Sequence, residues 1–572
     1  MKKTPVFIAL ATLVAIGLSV GIYQSFAHLC LLFEEQKMLS SGQYDTLLQD
    51  NAKALGANKE LKDALLQGMA KLESRILAVE MKLHQKDSKT PAEAKIQASV
   101  VAQIEKPAPT TTPETGPSKD ENPPAPKNKN PSGPWENDER LSSEEKNILQ
   151  EALGKDPTKL DLRNRNISNQ FLKYLAGFGK LNSLNLNNTP IDDEGLAYLK
   201  DIPKLKSLNL GGTRISESGL EQLKDAKNLV DLNLARTKIG DGGLAHLKYF
   251  EKLKNLDLTS TPVSDYGIEQ LKELKNLEEL MLTKTSISDQ GLAILKDLKN
   301  LKVLDLTDTK ISGAGLQQLK EMPKLEDLVL NNIAVGNAGL QGIEVKNLVD
   351  LKLANTGIND AGLENLRTME KVEGIDLSGT YISNAGLEKI SAMTNLLRVE
   401  DLSLKNTQIG DAGLEHIRDF GKIKTLDLSN TQISDSGMKN LEKMDNLEVL
   451  QLANTRVGDA GLQYLKNKKN MKILDLTYSW VGDGGMVQLQ GMLELKTLKL
   501  SSTFVTDKGL ELLKKLEKLK TLELNNTNIS DAGLAQVEEM NGISSLNLTG
   551  TTVSDEAVSR LRAKKPGLKI IR

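Results

Sequence analysis

A phrase of about 24 residues recurs along residues 159–572 and constrains the fold more than any other feature. Three consecutive copies read LNSLNLNNTPIDDEGLAYLKDIPK (181–204), LKSLNLGGTRISESGLEQLKDAKN (205–228) and LVDLNLARTKIGDGGLAHLKYFEK (229–252). Seventeen copies align on a Gly-Leu pair, with Phe171 and Ala557 in the glycine slot of the first and last copies. A period of roughly 20–50 residues is typical of stacked repeat architectures. The sequence therefore predicts a solenoid rather than a globular enzyme domain.

Each copy divides into a short strand and a short helix. In the pattern L-x-x-L-x-L, the period of two places Leu184 and Leu186 on the inside of a strand. Ser183 and Asn185 then face outward. After Ile191 the spacing changes to G-L-x-x-L-x-x-L, which is typical of a short amphipathic helix. Because one unit cannot bury its leucines alone, we expect an α/β solenoid of about 17 strand–helix repeats with a cap at each end.

Two polar positions also recur in each copy. Threonine fills one of them in fourteen copies, from Thr189 to Thr551, with Ile333 and Ser479 as departures. A buried hydroxyl there is expected to bond a carbonyl of the adjoining coil. The residue two before the glycine is Asp in twelve copies, often with Ser before it. Since both residue types favour helix N-caps, we expect these aspartates to cap helices and not to bind metal.

Two copies depart from the regular spacing. The distance from Gly339 to Gly362 is 23 residues, and from Gly386 to Gly413 it is 27, with about three extra residues near Leu397–Val399. Such insertions are loops or bends in many repeat proteins. A functional bulge is the alternative at this place.

Both ends of the repeat array carry capping signals. Ser142 and Glu145 have the spacing of a capping box, which predicts a helix through about Leu153 within an N-terminal cap at 136–158. The last copy continues into a short strand flanked by basic residues, which is expected to close the solenoid. The predicted solenoid with this C-terminal cap spans 159–572. Such caps keep the open ends of a solenoid soluble.

Residues 1–30 have the features of a signal-anchor. Lys2 and Lys3 precede an uncharged stretch of eighteen residues, Val6–Tyr23. This is longer than the apolar core of a signal peptide, about 7–15 residues, and close to the ~20 that span a bilayer. We therefore expect a single transmembrane helix with the rest exported. The segment Ser25-Phe26-Ala27 leaves cleavage, and hence secretion, open as the alternative.

Residues 31–135 predict a stalk and a linker. In 31–88, apolar residues from Leu65 to Leu83 alternate at spacings of four and three over about three heptads. This pattern fits either a coiled coil, which would form a homo-oligomer, or a lone amphipathic helix. Residues 89–135 hold ten of the seventeen prolines among polar residues, so we expect a disordered, extended spacer. Cys30 is the only cysteine, which excludes an intramolecular disulfide framework.

The sequence contains no recognisable catalytic pattern. There are four histidines, and no nucleophile–base pair, metal-ligand cluster or phosphate-binding loop is apparent. The glycines follow the period of the repeat rather than a nucleotide-binding spacing. We therefore predict no catalytic, cofactor-binding or metal site, and a protein that is not an enzyme.

The outward positions of the strands carry an excess of acidic residues. Eleven of these positions are acidic, whereas only Lys352 and Lys499 are basic, although the whole chain has a net charge of −2. Such a face would attract a basic protein partner and repel nucleic acid. The alternative is that L-D-L is simply a favourable strand sequence in these repeats. The acidic positions are Asp231, Asp257, Glu279, Asp305, Asp327, Asp350, Asp376, Asp401, Asp427, Asp475 and Glu523.

Three aromatic residues form a second candidate for partner binding. Trp480 and Phe504 occupy the same position in adjacent copies, just after the threonine slot, and Tyr478 lies close to them. Tyr381 takes this position four copies earlier. Exposed aromatic side chains would anchor a partner. Packing against the neighbouring loop is the alternative.

The phrase L-x-x-L-x-L-x-x-T-x-I-S-D-x-G-L-x-x-L resembles the cysteine-containing leucine-rich-repeat subtype, which is related to the ribonuclease-inhibitor-like class. In that subtype C-x-x-I-T-D follows the strand, and here T-x-I-S-D stands in its place. The resemblance covers about 160–572. It implies a right-handed arc that binds proteins, and it provides no catalytic residues to transfer. Threonine-rich versions on membrane-anchored chains resemble bacterial envelope proteins of this class.

These observations together predict a membrane-tethered, outward-facing protein-interaction module. Its repeat domain would lie in the periplasm or at the cell surface. A self-assembling structural envelope protein and a secreted binder are the alternatives.

Overall fold

The computed structural model describes residues 133–155 and 157–572, which fall within one compact unit, Lys127–Arg572. The predicted anchor (1–30), the predicted stalk (31–88) and all but the end of the predicted linker (89–135) lie outside the described residues. Among the helices of 133–155 and 157–572, none combines the length and apolar character needed to cross a bilayer.

Eighteen strands of three residues each form a parallel sheet in the described part of the chain. Each strand pairs with the next one in sequence, and the middle residues stay in register from Leu160 opposite Leu184 to Leu546 opposite Ile570. The predicted α/β solenoid is confirmed, with seventeen repeats and a closing strand. In order, β1 to β18 are Lys159–Asp161, Ser183–Asn185, Ser207–Asn209, Asp231–Asn233, Asn255–Asp257, Glu279–Met281, Val303–Asp305, Asp327–Val329, Asp350–Lys352, Gly374–Asp376, Asp401–Ser403, Thr425–Asp427, Val449–Gln451, Ile473–Asp475, Thr497–Lys499, Thr521–Glu523, Ser545–Asn547 and Lys569–Ile571.

Short helices connect these strands. Helix α1, Ser143–Lys155, precedes the sheet. In order, α2 to α16 are Asn169–Leu172, Asp193–Leu196, Glu217–Gln222, Asp241–Leu244, Asp265–Ile268, Asp289–Leu295, Gly336–Gln341, Asn384–Ser391, Asp411–Ile417, Asp435–Met438, Asp459–Leu462, Asp483–Leu489, Asp507–Leu512, Asp531–Glu538 and Asp555–Lys564. Turns of 3-10 helix occur at Lys173–Gly177, Leu199–Asp201, Ala245–Tyr249, Glu269–Glu273, Gly315–Glu321, Gly362–Thr368, Thr394–Arg398, Lys439–Leu441 and Gln463–Leu465.

The recurring threonines hold the coil that follows each strand. All fourteen hydroxyls donate a hydrogen bond to the carbonyl of the leucine three residues earlier, as Thr189 Oγ1 does to Leu186, at 2.5–2.7 Å. The predicted threonine ladder is therefore confirmed. At the departure Ser479, the buried hydroxyl finds no partner among the described residues.

The recurring aspartates do not cap their own helices, so that prediction was wrong. In five of these copies the cap is the preceding serine, such as Ser264, whose Oγ accepts from the Tyr266 N–H. Asp241 lies in the first turn of α5 and reaches the next repeat, where its two carboxylate oxygens accept from Ser264 N (2.7 Å) and Ser264 Oγ (2.5 Å). We call this contact the inter-repeat clamp. It consists of charge-assisted hydrogen bonds, which are stronger than neutral ones.

The clamp explains the recurring glycine. A Cβ atom on Gly437 would lie 2.4 Å from Asp411 Oδ1 and 3.1 Å from the Asp411 Cα atom. The Asp411 carboxylate in turn accepts hydrogen bonds from the N–H and the Oγ of Ser434. The glycine therefore provides the space in which the preceding repeat places its aspartate.

The longer copy contains an additional turn. Thr394–Arg398 forms a 3-10 helix, and its Leu396 is buried in the core. The Asn395 amide donates to the carbonyls of Leu366 and Met369 at 3.0 and 3.1 Å. The extra residues thus form a packed loop that is bonded to the preceding repeat.

The N-terminal cap begins before the position predicted for it. Ser142 N donates to Glu145 Oε2 at 2.7 Å and Glu145 N donates to Ser142 Oγ at 3.2 Å, which confirms the capping box. Trp135, placed by the sequence in the linker, is 3% exposed and packs against Tyr174 and Phe178. These aromatic rings cover the first repeat because it has no preceding repeat to bury it.

Candidate functional site

The outward side chains of the strands form two parallel columns. In most strands the middle residue is buried and the first and third are half-buried or exposed, as in Ser183, Leu184 and Asn185. We call these outward positions the first slot and the third slot. Because the strands are in register at a spacing of about 4.8 Å, residues in the same slot are neighbours from repeat to repeat.

The five predicted partner-binding aspartates of the third slot bind their own backbone. Each carboxylate accepts a hydrogen bond from the N–H two residues later, at 2.9–3.0 Å, which is an Asx turn. Asparagine makes the same bond in other copies, such as Asn185 with the Asn187 N–H. In the third slot, the aspartates are therefore explained by the alternative interpretation, in which L-D-L is simply a favourable strand sequence in these repeats. The five aspartates are Asp257, Asp305, Asp376, Asp427 and Asp475.

Two of these predicted partner-binding residues are closed off from solvent. Asp427 is 9% exposed and Asp475 is 7% exposed, since their carboxylates turn back onto the chain. Asp475 also lies 3.3 Å from Lys499 Nζ. The structure thus gives these two carboxylates internal partners.

The acidic residues of the first slot are different. Asp231 accepts from the Asn255 amide at 2.6 Å. The other four form no hydrogen bond or ion pair through their side chains within the described part of the chain. We call these four the first-slot carboxylates: Glu279, Asp327, Asp350 and Asp401.

The surroundings of Asp327, one of the first-slot carboxylates, are predominantly negative, although Lys352 opposes this effect. Burial, and after it the nearby charges of Asp350 and Glu326, raise the pKa of Asp327 above its usual value. By contrast, hydrogen bonds from Lys254 and Lys302 lower the pKa of Glu278 to about 2. Among the described residues, the first-slot carboxylates between β6 and β11 are therefore negative charges that neither an ion pair nor a hydrogen bond engages.

The aromatic residues lie in the coil after β14 and β15. The backbone N–H groups of Trp480 and Phe504 donate to the carbonyls of Val457 and Val481 at 2.8 and 2.9 Å. Their side chains are 63% and 65% exposed, so the alternative of packing against the neighbouring loop does not hold. Tyr381 is equally exposed, at 63%. The structure therefore presents two adjacent aromatic side chains on one rim.

Tyr478 has a backbone conformation that sequence reasoning missed. Its φ is +56°, in the left-handed region that bulky residues avoid. The equivalent position in other copies is mostly Asn or Gly, for example Asn454 and Asn526. That recurring Asn/Gly was the signal that could have predicted this conformation.

Replacing Tyr478 with asparagine is expected to raise the free energy of unfolding by about 1 kcal/mol, because asparagine tolerates the left-handed conformation. Urea denaturation of the full-length chain measures this change. Tyr381→Asn is the matched control, since Tyr381 is as exposed but is not among the residues with positive φ. An equal increase in the free energy of unfolding of both variants would show that the backbone conformation of Tyr478 is not the cause.

The described residues provide no group of three or more His, Cys, Asp or Glu side chains placed to hold a metal ion. Two shallow depressions lie at the N-terminal end of the repeats, one beside Glu145 and Ser168 and the other beside Asn188 and Arg214. Neither is lined by a predicted partner-binding residue.

Five stretches of the chain match the family model described as Leucine Rich repeat: residues 180–200, 297–320, 422–441, 467–489 and 515–535. Each stretch contains one strand of the parallel sheet. With the repeated strand–helix unit, these matches show that the chain contains leucine-rich repeats. The finer assignment to the cysteine-containing subtype stays a prediction.

Solved structures with detectable similarity include several repeat proteins. An internalin from Listeria monocytogenes is 21% identical with a TM-score of 0.38, covering 62% of this chain and 88% of that chain. A leucine-rich-repeat protein from Leptospira interrogans is 18% identical with a TM-score of 0.40, covering 74% and 98%. The mouse RP105/MD-1 complex is 18% identical with a TM-score of 0.46, covering 74% of this chain and 80% of that chain. No curated protein matches the sequence.

Proposed function

We propose that this leucine-rich-repeat protein is a non-catalytic interaction module that binds a basic protein partner on the concave, strand-lined face of the solenoid. The observation that carries this proposal is the column of first-slot carboxylates, which have no partner among the described residues. A row of fixed negative charges attracts a basic surface, increases the association rate and disfavours acidic partners. The same charges repel phosphates, so a nucleic-acid partner is disfavoured.

The proposal includes a position outside the cytoplasm. The uncharged stretch Val6–Tyr23 behind two lysines supports a single-pass anchor in 1–30, and the proline-rich 89–135 supports a spacer. The repeats would then lie in the periplasm or at the cell surface. Secretion after cleavage near Ala27 is the alternative location.

A self-assembling structural protein of the envelope is the second candidate. The alternating apolar residues from Leu65 to Leu83 favour it, since a coiled coil in 31–88 would join several chains. Under this function the repeats would contact further copies of the same chain.

The experiment that tests the proposed function is cross-linked capture from intact membranes with the full-length chain as bait. The test variant combines Asp327→Asn, Asp350→Asn and Asp401→Asn. Because it removes three unpaired charges from the first slot, we expect recovery of the partner to fall at least about tenfold. Quantitative mass spectrometry measures the recovery.

The matched control combines Asp257→Asn, Asp305→Asn and Asp376→Asn. It changes the net charge by the same amount, and the amide oxygens can keep the Asx turns as asparagine does elsewhere. We expect this control to retain most of the partner. Equal recovery with the bait, test variant and control would contradict the proposal, and recovery of the bait alone would favour the structural candidate.

A further inference from the structure

Two of the inter-repeat clamps are incomplete. In nine pairs, an aspartate accepts from the N–H and the hydroxyl of a Ser or Thr in the next repeat, at 2.6–2.9 Å and 2.5–2.7 Å. After Asp435 and Asp459, the next repeat instead provides Gly458 and Gly482. These two aspartates therefore lose the hydroxyl donor.

The backbone does not require glycine at either position. Gly458 and Gly482 have φ values of −120° and −123°, which is ordinary extended backbone. An added Cβ would meet its nearest neighbours at 3.5 Å and 3.6 Å, which is normal van der Waals contact. A serine would fit, as it does in the other copies, so steric need does not explain these glycines.

The missing hydroxyls leave carboxylate oxygens without a hydrogen bond. Asp435 Oδ1 accepts from Gly458 N at 2.6 Å, and Asp459 Oδ1 accepts from Gly482 N at 2.7 Å. The Oδ2 atom of each aspartate accepts no hydrogen bond within residues 133–155 and 157–572. Each Oδ2 lies next to the space above the glycine, 3.5–3.6 Å from the Cβ position of Gly458 or Gly482.

The exposed aromatic residues are the bridge partners of these two glycines. Gly458 forms a β-bridge with Trp480, and Gly482 forms one with Phe504. The Cβ position of Gly482 is also 3.7 Å from Phe504 Cβ. Each space therefore has a carboxylate oxygen without a hydrogen bond on one side, and on the other the backbone carbonyl of an exposed aromatic residue, Trp480 at 3.5 Å from the Gly458 Cβ position and Phe504 at 3.6 Å from that of Gly482. We call these spaces the rim niches.

Other glycine caps do not share this combination. Gly240 follows a glutamate, Glu217, and Gly410 follows Asn384 in the preceding repeat. Neither is next to an exposed aromatic residue, since the position after the threonine slot is Pro262 and Gln432 there. The rim niches are therefore two consecutive copies of one arrangement.

We propose that the rim niches bind two basic side chains of the partner protein, each between the free carboxylate oxygen and the aromatic ring. Arginine suits the site best, because its planar guanidinium bonds carboxylates and stacks on aromatic faces. This inference rests on the proposed function, and it adds a second place, outside the first-slot carboxylates, where the basic partner is held and the chemistry that holds it. In the preceding repeat the equivalent position is Arg456 rather than an aromatic residue.

The test is a titration of the full-length chain with an (Arg-Ser)4 peptide, with (Glu-Ser)4 as the negative control. Acrylamide quenching of tryptophan fluorescence is the readout, since Trp135 is buried and Trp480 is exposed. We expect the arginine peptide to protect Trp480 saturably. In the Gly458→Ser/Gly482→Ser variant, which fills both niches and completes both clamps, the Kd should rise at least about tenfold.

Gly410→Ser is the matched control and should leave the Kd unchanged, because that cap has no aromatic neighbour. An unchanged Kd in the double serine variant would overturn the inference. If the Asp327→Asn/Asp350→Asn/Asp401→Asn variant then bound the peptide more weakly, the proposed function would stand and only the role of the rim niches would be excluded. Protection of Trp480 by cellohexaose but not by the peptide would also overturn the inference, because it would indicate that the rim niches bind a glycan.

Discussion

Replacing Gly437 with alanine is expected to lower the free energy of unfolding by about 2 kcal/mol, within the range typical of overpacked sites. The added methyl group would overlap the carboxylate of Asp411, whose Oδ1 lies 2.4 Å from the Cβ position. Relief would require moving the aspartate away from Ser434 and would break the clamp between two repeats. Urea denaturation of the full-length chain measures the change.

A double-mutant cycle with Asp411→Ala identifies the cause of this loss. Removing the aspartate frees the space, so the two changes together should cost clearly less than their sum. Gly421→Ala is the matched control, since nothing lies within 4 Å of its Cβ position, and we expect it to be nearly neutral. Additive losses at Gly437 and Asp411 would contradict the proposed role of the glycine.

Replacing Lys468 with methionine is expected to raise the free energy of unfolding at pH 7 by about 2 kcal/mol. Lys468 is 1% exposed and occupies a core position that is Met444 and Met492 in the neighbouring copies. Its Nζ donates to the Glu442 carbonyl at 2.7 Å and lies 3.5 Å from Asp445 Oδ1, on an exposed side chain. These contacts compensate only part of the cost of burying an ammonium group.

The pH dependence gives a second test of the same substitution. Burial lowers the pKa of Lys468 below its usual value of 10.5. Between the lowered folded pKa and 10.5 the unfolded chain binds more protons, so the stability of the unsubstituted protein rises with pH. The advantage of methionine should therefore shrink as the pH approaches 10. Lys469→Met, at an exposed neighbouring position, should change neither the free energy of unfolding nor its pH dependence. A gain in Lys468→Met that does not vary with pH would exclude titration of Lys468 as its cause.

The repeat itself allowed most of the fold to be predicted. Period-two leucines gave the strands and their register, and the Thr189-type position gave a hydroxyl–carbonyl bond that fourteen copies share. The capping box of Ser142 and Glu145 was equally legible, because both partners lie within one turn of the same helix. Features that depend on one repeat alone could thus be read directly.

Contacts between repeats were harder to predict. The role of Asp241 depends on Ser264, 23 residues away, and sequence spacing alone does not show which groups face each other. The third-slot aspartates did carry a signal, since asparagine takes the same slot in several other copies. Their shared property is an acceptor oxygen rather than a charge, as Asp257 and Asn233 show. The unpaired state of Asp327 and Asp350 became visible only when their neighbours were placed.

The central claim is that the first-slot carboxylates hold a basic partner, and the salt dependence of binding tests it most directly. The measurement is the Kd of the captured partner for the full-length chain and for the Asp327→Asn/Asp350→Asn/Asp401→Asn variant over a series of NaCl concentrations. We expect affinity for the unsubstituted chain to fall steeply with salt, and the variant to bind at least about tenfold more weakly at low salt with a flatter dependence. The same Kd and the same salt dependence for both proteins would contradict the account.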